Sequence, residues 1–393
     1  MFKPVIVAVG YNRPQKMKRL LESIGNAHFE YDDIHLVVSI DESDLSNEVE
    51  AVAQAFNWEH GTKEIRRFPE RQGLRKHIVQ CGDYSEKYGS VIILEDDLLV
   101  AEDFYTYTCA AHEKYSADER VCGVSLYAFA RNQFTGHFFT PAQKNAFDAY
   151  LGGMVVTWGQ SWTAYQWAQF KAWYFAHEDK LPTTNHLIPD EISGWTRSWG
   201  RYFVSYMAAK GKFYVYPYVA RSTCFADFGE HSVNKIPVTC VQVPLMCGAP
   251  AEYRFGEIED LVCYDSFYER ILPADILING VSGSDICMDL NCMKKSANGC
   301  KYIISNSDLP YERVASFGMA LKPIELNVMH NLTGNEIHMY KKDDGNDIFR
   351  QEKKQIYQYD IKFSRLRYEY ADMSYRAAIK YTLNEVLRRI KER

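Results

Sequence analysis

The stretch Ser90–Val100, SVIILEDDLLV, constrains this chain more than any other. Val91–Leu94 is an apolar run of the length of a strand buried on both faces. Glu95, Asp96 and Asp97 follow at once, and Leu98–Val100 turns apolar again. A doubly buried strand has no room for adjacent anions, so the acids are expected at its C-terminal end. In open α/β sheets ligands bind at that edge. Clustered carboxylates there suit a hard divalent cation, which takes oxygen ligands and bridges to phosphates. The plain alternative is a solvated acidic turn; the position directly after a β-branched strand favours a site.

The chain upstream supplies a setting for that strand. Pro4–Gly10 reads as a first buried strand, and Tyr11-Asn12-Arg13-Pro14 turns the chain with Pro14 at the first position of a helix. Met17, Leu20, Leu21 and Ile24 then fall at helical spacing. Ile34–Ile40 is a second strand ending in Asp41, 44–57 a helix, 64–68 a third strand and 74–87 another helix. Strands alternating with helices mean parallel βαβ units. Each strand end carries polar groups: Asn12 and Arg13, then Asp41, then Glu95–Asp97. That is a nucleotide-site arrangement, yet no GxGxxG or GxxxxGK[ST] loop is present, so neither a dinucleotide fingerprint nor a P-loop is supported.

The combination of YNRP after strand one, Asp41 at a strand end, GLRKHI before the fourth strand and ILEDDLLVAEDF resembles the nucleotide-sugar-dependent glycosyltransferases of the GT-A fold. It is similar to the branch holding N-acetylglucosaminyltransferase I and bacterial relatives of glycosyltransferase family 2, over roughly residues 1–235. The resemblance implies an α/β fold with a mixed sheet flanked by helices, a nucleotide-sugar donor (UDP first), Mn2+ or Mg2+, and a glycan or lipid-linked saccharide acceptor. The acidic motif of that branch reads EDD, and its last acid binds metal, which points to Asp97. Glu95 and Asp96 would orient ribose and sugar hydroxyls, and Asn12, Arg13 and Asp41 the base and diphosphate. His231, on the glycine-bearing loop ADFGEHS, would be a metal or phosphate contact. The stretch GGMVVTWGQSW, close to GxGW in form, makes Trp158 and Trp162 candidates for the acceptor sugar, although core packing explains most tryptophans. Inverting members carry their catalytic carboxylate one residue beyond a Trp. Here Thr196 follows Trp195, and Asp190 and Glu191 are the nearest acids. Asp227 and Glu230 come next.

With 393 residues, 47% of them hydrophobic, and a net charge of −6, the chain has material for two domains and no basic balance that points to nucleic acid. The apolar run near the N-terminus is too short for a signal peptide, and no stretch of eighteen apolar residues occurs, so a cytoplasmic protein is expected. Ten scattered cysteines without a CxxC pair read as free thiols, and Cys287, Cys292 and Cys300 match no common zinc spacing. Pro237–Pro250 is the expected boundary. It leaves a catalytic domain over 1–240, a small α+β or β-rich domain over 251–349 and a helical segment over 350–393. Tyr375, Ile379, Leu383, Val386, Leu387 and Ile390 form an apolar stripe. Lys362–Arg393 has nine basic and four acidic residues, a pattern that suits peripheral contact with an anionic membrane as well as packing on the protein itself. Two rival functions remain: a sugar nucleotidyltransferase, which usually has a Gly-rich basic loop after strand one, and a non-catalytic carbohydrate-binding or scaffold protein that has lost its base.

Overall fold

The computed structural model describes residues 2–225 (except 182, 183 and 185), 241–250, 252–342 and 347–349, with isolated positions 365, 368, 369, 379 and 383. Two compact units divide at Ala274/Asp275.

In the first unit the expected alternation is present: β1 (Val5–Gly10), α1 (Pro14–Gly25), β2 (Leu36–Ile40), α2 (Ser46–Ala55), β3 (Lys63–Arg67), α3 (Leu74–Gly82), α4 (Tyr84–Tyr88) and β4 (Ser90–Glu95). The helix expected over 74–87 is two helices, parted at Asp83. After the acids come β5 (Leu98–Val100), α5 (Phe104–Tyr115), β6 (Val121–Ser125), β7 (Ala149–Gly152), β8 (Gln160–Thr163), α6 (Ala164–His177), α7 (Trp199–Lys210), β9 (Phe213–Pro217), β10 (Ser222–Cys224), β11 (Cys263–Tyr264) and β12 (Arg270–Ile271). Ten of these strands form one sheet in the order β12-β11-β7-β9-β6-β8-β4-β1-β2-β3. β1–β4 run parallel, and β8 enters antiparallel between β4 and β6. The α/β class and the mixed sheet flanked by helices are therefore as expected.

Alternation along the strands builds two core layers, because successive side chains point to opposite faces. Ile6, Ala8, Ile92 and Leu94 join Met17, Leu20, Leu21 and Ile24 of α1 in one layer. Val5, Val7, Val9, Val91 and Ile93 face the other way, onto Ile78 of α3, Trp167 and Phe170 of α6 and Phe203 of α7. Both faces are covered, which is why β1 and β4 read as unbroken apolar runs.

The first unit extends past the proline-rich stretch 237–250. β11 pairs in parallel with β7, with Cys263 opposite Leu151 and Tyr264 opposite Gly152. Gly153 makes this possible: a Cβ there would lie 3.0 Å from the backbone of Asp265 and Ser266. The second unit holds a hairpin, β13 (Leu277–Ile278) and β14 (Val281–Ser282), turned by Asn279 and Gly280, both at positive φ. It also holds a four-stranded sheet of β15 (Ile286–Asp289), β16 (Tyr302–Ser305), β17 (Glu312–Phe317) and β18 (Ile337–Lys341), in the order β15-β16-β18-β17, and a short helix, α8 (Glu325–Met329). The nine described cysteines form no disulfide with one another. Among the described residues no helix is long and apolar enough to cross a membrane.

Candidate active site

β4 and β1 are parallel neighbours with Val9 opposite Glu95, and β2 flanks β1 with Gly10 opposite Ile40. The three strands thus deliver residues 11–13, Asp41 and Glu95–Asp97 to one sheet edge. Pro14 opens α1 and Arg13 takes the N-cap position without a side-chain capping bond. The Arg13 carbonyl accepts from Lys16 and Met17 N–H, which leaves the guanidinium to cross to β4. There Nη2 donates to Asp96 Oδ1, and Nη1 lies 3.5 Å from Asp97 Oδ2. Arg13 therefore pairs with the acid triplet.

Three carboxylates cannot share so small a volume at no cost. Burial, then the charges of Asp97 and Asp96, holds the Glu95 carboxyl well above its ordinary pKa. Burial pushes Asp96 up to about 6, against the pull of Arg13. Burial works against the charge on Arg13, but Asp96 and Asp97 outweigh it and raise its pKa. Glu95 Oε1 and Asp97 Oδ1 are buried atoms with no hydrogen-bond partner among the described residues. Such oxygens are what a hard cation takes, and Mg2+-type sites commonly use one or two carboxylates plus substrate phosphates. Among the described residues no group of three or more His, Cys, Asp or Glu has metal-holding geometry, and His231 lies outside them.

Asp41 is held by three backbone N–H groups. Its Oδ1 accepts from Gln72 N–H at 2.7 Å and Glu42 N–H at 3.0 Å, and its Oδ2 from Gly73 N–H at 2.9 Å. It braces the turn before α3 against the end of β2. Beside it, buried His77 meets Ser39 Oγ at 2.7 Å, and burial lowers its pKa to about 4. Asn12 sits between Gly10 and Arg13 at the same edge. Downstream of the triplet, β5 pairs with β10, and Phe225 N–H donates to the Asp97 carbonyl at 3.1 Å. Asp227, Glu230 and His231 follow in sequence but lie outside the described residues.

The two tryptophans divide. Trp162 is fully buried, donates from Nε1 to Tyr214 Oη at 2.7 Å and packs on Trp167, Trp199 and Phe203. It is a core residue and corrects the expectation of a sugar contact: no ring face is left for one. Trp158 is half-buried against Tyr127 and Phe129. Asp190 and Glu191 open a short 3-10 turn, Asp190–Gly194, whose Ile192 is buried in the same layer as Val9 and Ile93. That places the turn on the Glu95 side of the sheet.

Sequence reading missed Lys16, whose charge acts on Asp96, and Gln160 and Trp199, buried polar groups in the layer behind Glu95. A glutamine on a strand flanked by tryptophans two residues away on each side was the available signal.

No protein-family model matches this sequence, and no curated protein matches it. Solved structures similar in fold include residues 1–349 of S. aureus TarS in complex with UDP-GlcNAc, at 13% identity and a TM-score of 0.37, covering 58% of this chain and 60% of that one. The mannosyltransferase PcManGT from Pyrobaculum calidifontis, in complex with GDP-Man and Mn2+, gives 14% identity and a TM-score of 0.34, covering 56% and 59%. GalNAc-T7 with UDP, GalNAc and Mn2+ gives 13% identity and a TM-score of 0.38, covering 55% and 43%. The matched part is thus under two thirds of each of those chains.

Proposed function

We propose that this protein is a metal-dependent glycosyltransferase. It would move a sugar from a nucleoside diphosphate sugar, UDP first, to a hydroxyl of a glycan or lipid-linked saccharide, with inversion. One observation carries the reading: at the C-terminal edge of β4 an acid triplet meets an arginine from the turn after the neighbouring strand, with two buried carboxylate oxygens unpaired among the described residues.

Asp97 and Glu95 would hold Mn2+ or Mg2+, which when bound neutralises charge gathering on the leaving diphosphate. Arg13, already above its ordinary pKa, keeps a fixed positive charge beside the same group. Asp190 or Glu191 would take the acceptor proton. Such a base is typically worth about 10²–10⁴-fold in rate.

The test is turnover of a nucleotide-sugar panel with and without Mn2+, followed by Asp190→Asn and Glu191→Gln. The expected result is Mn2+-dependent transfer that one of the two variants cuts about 100-fold or more with donor binding retained. Parental rates in both variants move the base elsewhere, with Asp227 and Glu230 next. Glycan binding without turnover favours the second reading, a carbohydrate-binding protein, for which Thr196 after Trp195 is the motivating feature. Peripheral membrane contact through 362–393 also remains a proposal. Of its stripe, Ile379 and Leu383 are described and are 60% and 57% exposed, while Tyr375, Val386, Leu387 and Ile390 lie outside the described residues. Flotation with anionic vesicles, weakened by salt and lost on deleting 374–393, is the expected outcome; an intact protein that ignores vesicles ends the idea.

A further inference from the structure

The parallel βαβ order sends α1 and α2 back from the edge that carries the acid triplet to the opposite edge of the sheet. α1 runs twelve residues, from Pro14 to Gly25, which is about 18 Å at 1.5 Å per residue. α2 makes the same return to Ala55, and residues 56–62 then lead into β3. Between these two helix ends lies a cleft of about 440 Å3 whose rim, Glu22, Asn26, Asn57 and Glu59, is exposed to solvent. Clefts that hold small molecules commonly span about 300–1,000 Å3.

The floor of the cleft is fixed. Trp58, 8% exposed, donates from Nε1 to Ile34 O at 2.9 Å, and Ile34 N–H donates to His60 O at 2.8 Å. Phe29 packs edge-on against Trp58 with ring centroids 5.4 Å apart, and its ring lies 4.4 Å from that of His60. Lys63 Nζ donates to Ala53 O at 2.7 Å, to Gln54 O at 3.2 Å and to Phe56 O, which closes the end of α2. Half-buried Phe56 rests on Gly25, where a Cβ would come within 3.0 Å of its ring. Exposed polar side chains thus stand around an aromatic floor of Phe56 and Trp58.

The chemistry of the walls selects among ligands. Two of the lining residues are carboxylates, and none of the described ones is Lys or Arg, so a phosphate or nucleotide meets repulsion there. A metal ion is poorly served, because among the described residues no group of three or more His, Cys, Asp or Glu has metal-holding geometry. An organic cation finds the local negative charge already engaged: Lys18 Nζ pairs with Glu22 at 3.0 Å, and Lys63 takes the carbonyls at the end of α2. Two carboxylates and two side-chain amides over aromatic rings remain, and a pyranose complements them. Its hydroxyls donate to carboxylates in charge-assisted hydrogen bonds, while its C–H face covers apolar ring surface.

We propose that this cleft binds a neutral saccharide, at a site separate from the acid triplet. The inference does not rest on the glycosyltransferase reading. A transferase would use the cleft to hold a distal unit of its acceptor glycan, and a carbohydrate-binding protein would use it directly.

The experiment is saturation-transfer NMR on the full-length protein with maltotriose, cellotriose and chitotriose at millimolar concentration, and with choline as the cation control. The parent, Glu59→Ala and the double variant Glu22→Ala/Glu59→Ala are compared. We expect at least one trisaccharide to bind the parent and its affinity to fall about tenfold or more in the double variant. Tm should hold, because both side chains are exposed, and saturating UDP with Mn2+ should leave the saccharide bound. If the double variant lowers Tm, Asn57→Ala, equally exposed, decides by the same readout. Binding of none of the three trisaccharides overturns the assignment, and choline binding alone reassigns the cleft to a cation. Saccharide binding that the variants leave unchanged, or that UDP with Mn2+ displaces, belongs to another site and overturns it too. Nucleotide-sugar turnover is measured on the same samples. Transfer without saccharide binding here brings down this inference alone, and saccharide binding without transfer brings down the glycosyltransferase reading alone.

Discussion

Two arginine–carboxylate pairs of the first unit sit a few residues apart in sequence on the acid side, and they behave as opposites. Arg13 meets Asp96 and Asp97 at the open sheet edge, with side chains 24%, 3% and 22% exposed. Arg221 meets Asp103 in the interior, at 1% and 0%. Asp103 Oδ2 accepts from Arg221 Nε at 3.1 Å and from Tyr253 Oη at 3.2 Å, while the guanidinium lies 4.4 Å from the centre of the Tyr107 ring. Arg221 Nη1 donates to Val219 O at 2.7 Å. One arginine matches one acid there, in an aromatic cage that ties the start of α5 to β10. At the edge one arginine faces three acids, whereas buried atoms without a partner among the described residues occur in both places, Glu95 Oε1 and Asp97 Oδ1 here and Asp103 Oδ1 and Arg221 Nη2 there. The surplus of negative charge separates a site from a strut.

The largest expected effect is on the strut. Removing one partner of a buried pair strands the other charge and costs about 3–5 kcal/mol, whereas buried Asp96, held up to about 6, sheds a stranded charge by taking a proton and its partner Arg13 is 24% exposed. Arg221→Ala should therefore lower the urea midpoint sharply, and Arg13→Ala should lower it less. Equal losses in the two variants would erase the distinction.

Asp97→Asn sharpens the contrast from the side of the site. It should cut Mn2+-dependent transfer by roughly 100-fold with unfolding unchanged, because a strand-end acid adds little to the core. A variant that binds UDP and Mn2+ as the parent does would remove Asp97 from the metal.

The smallest effect is in pH. With Asp96 held up to about 6, its charged fraction falls about tenfold between pH 7 and 5, and metal-dependent donor binding should weaken by that order. Stability follows two opposing groups over the same range. Asp96, raised on folding, favours the native state more as pH falls from about 6 toward its unfolded value of 3.8. His77, lowered on folding from 6.5 to about 4, contributes stability above 6.5 that is lost as pH falls through this window. In His77→Gln the acid-side loss of stability should shrink while the fall in donor binding stays. If both curves move together, the binding profile reports unfolding instead of the triplet.

Much of this was legible in the chain. Val91–Leu94 followed by three acids placed a doubly buried strand and its charged end without any knowledge of neighbours, because burial on both faces leaves anions one exit. Pro14 marked the first turn of α1 for an equally local reason, its fixed φ. Partnership was not legible. Trp158 and Trp162 share a face by parity, yet their depth differs because Phe203, Trp199 and Tyr214, from α7 and β9, close over only one of them. Asp103 lies six residues beyond Asp97, and its arginine arrives from 118 residues away once β10 pairs with β5. The extent of the first unit was hidden for the same reason: β11 joins the sheet through contacts with β7, more than a hundred residues earlier. Local sequence fixes which segments become strands and where charge must leave them, since backbone geometry and burial act over a few residues. Which charge is neutralised, and which is left facing a ligand, was decided only by the order of strands in the sheet.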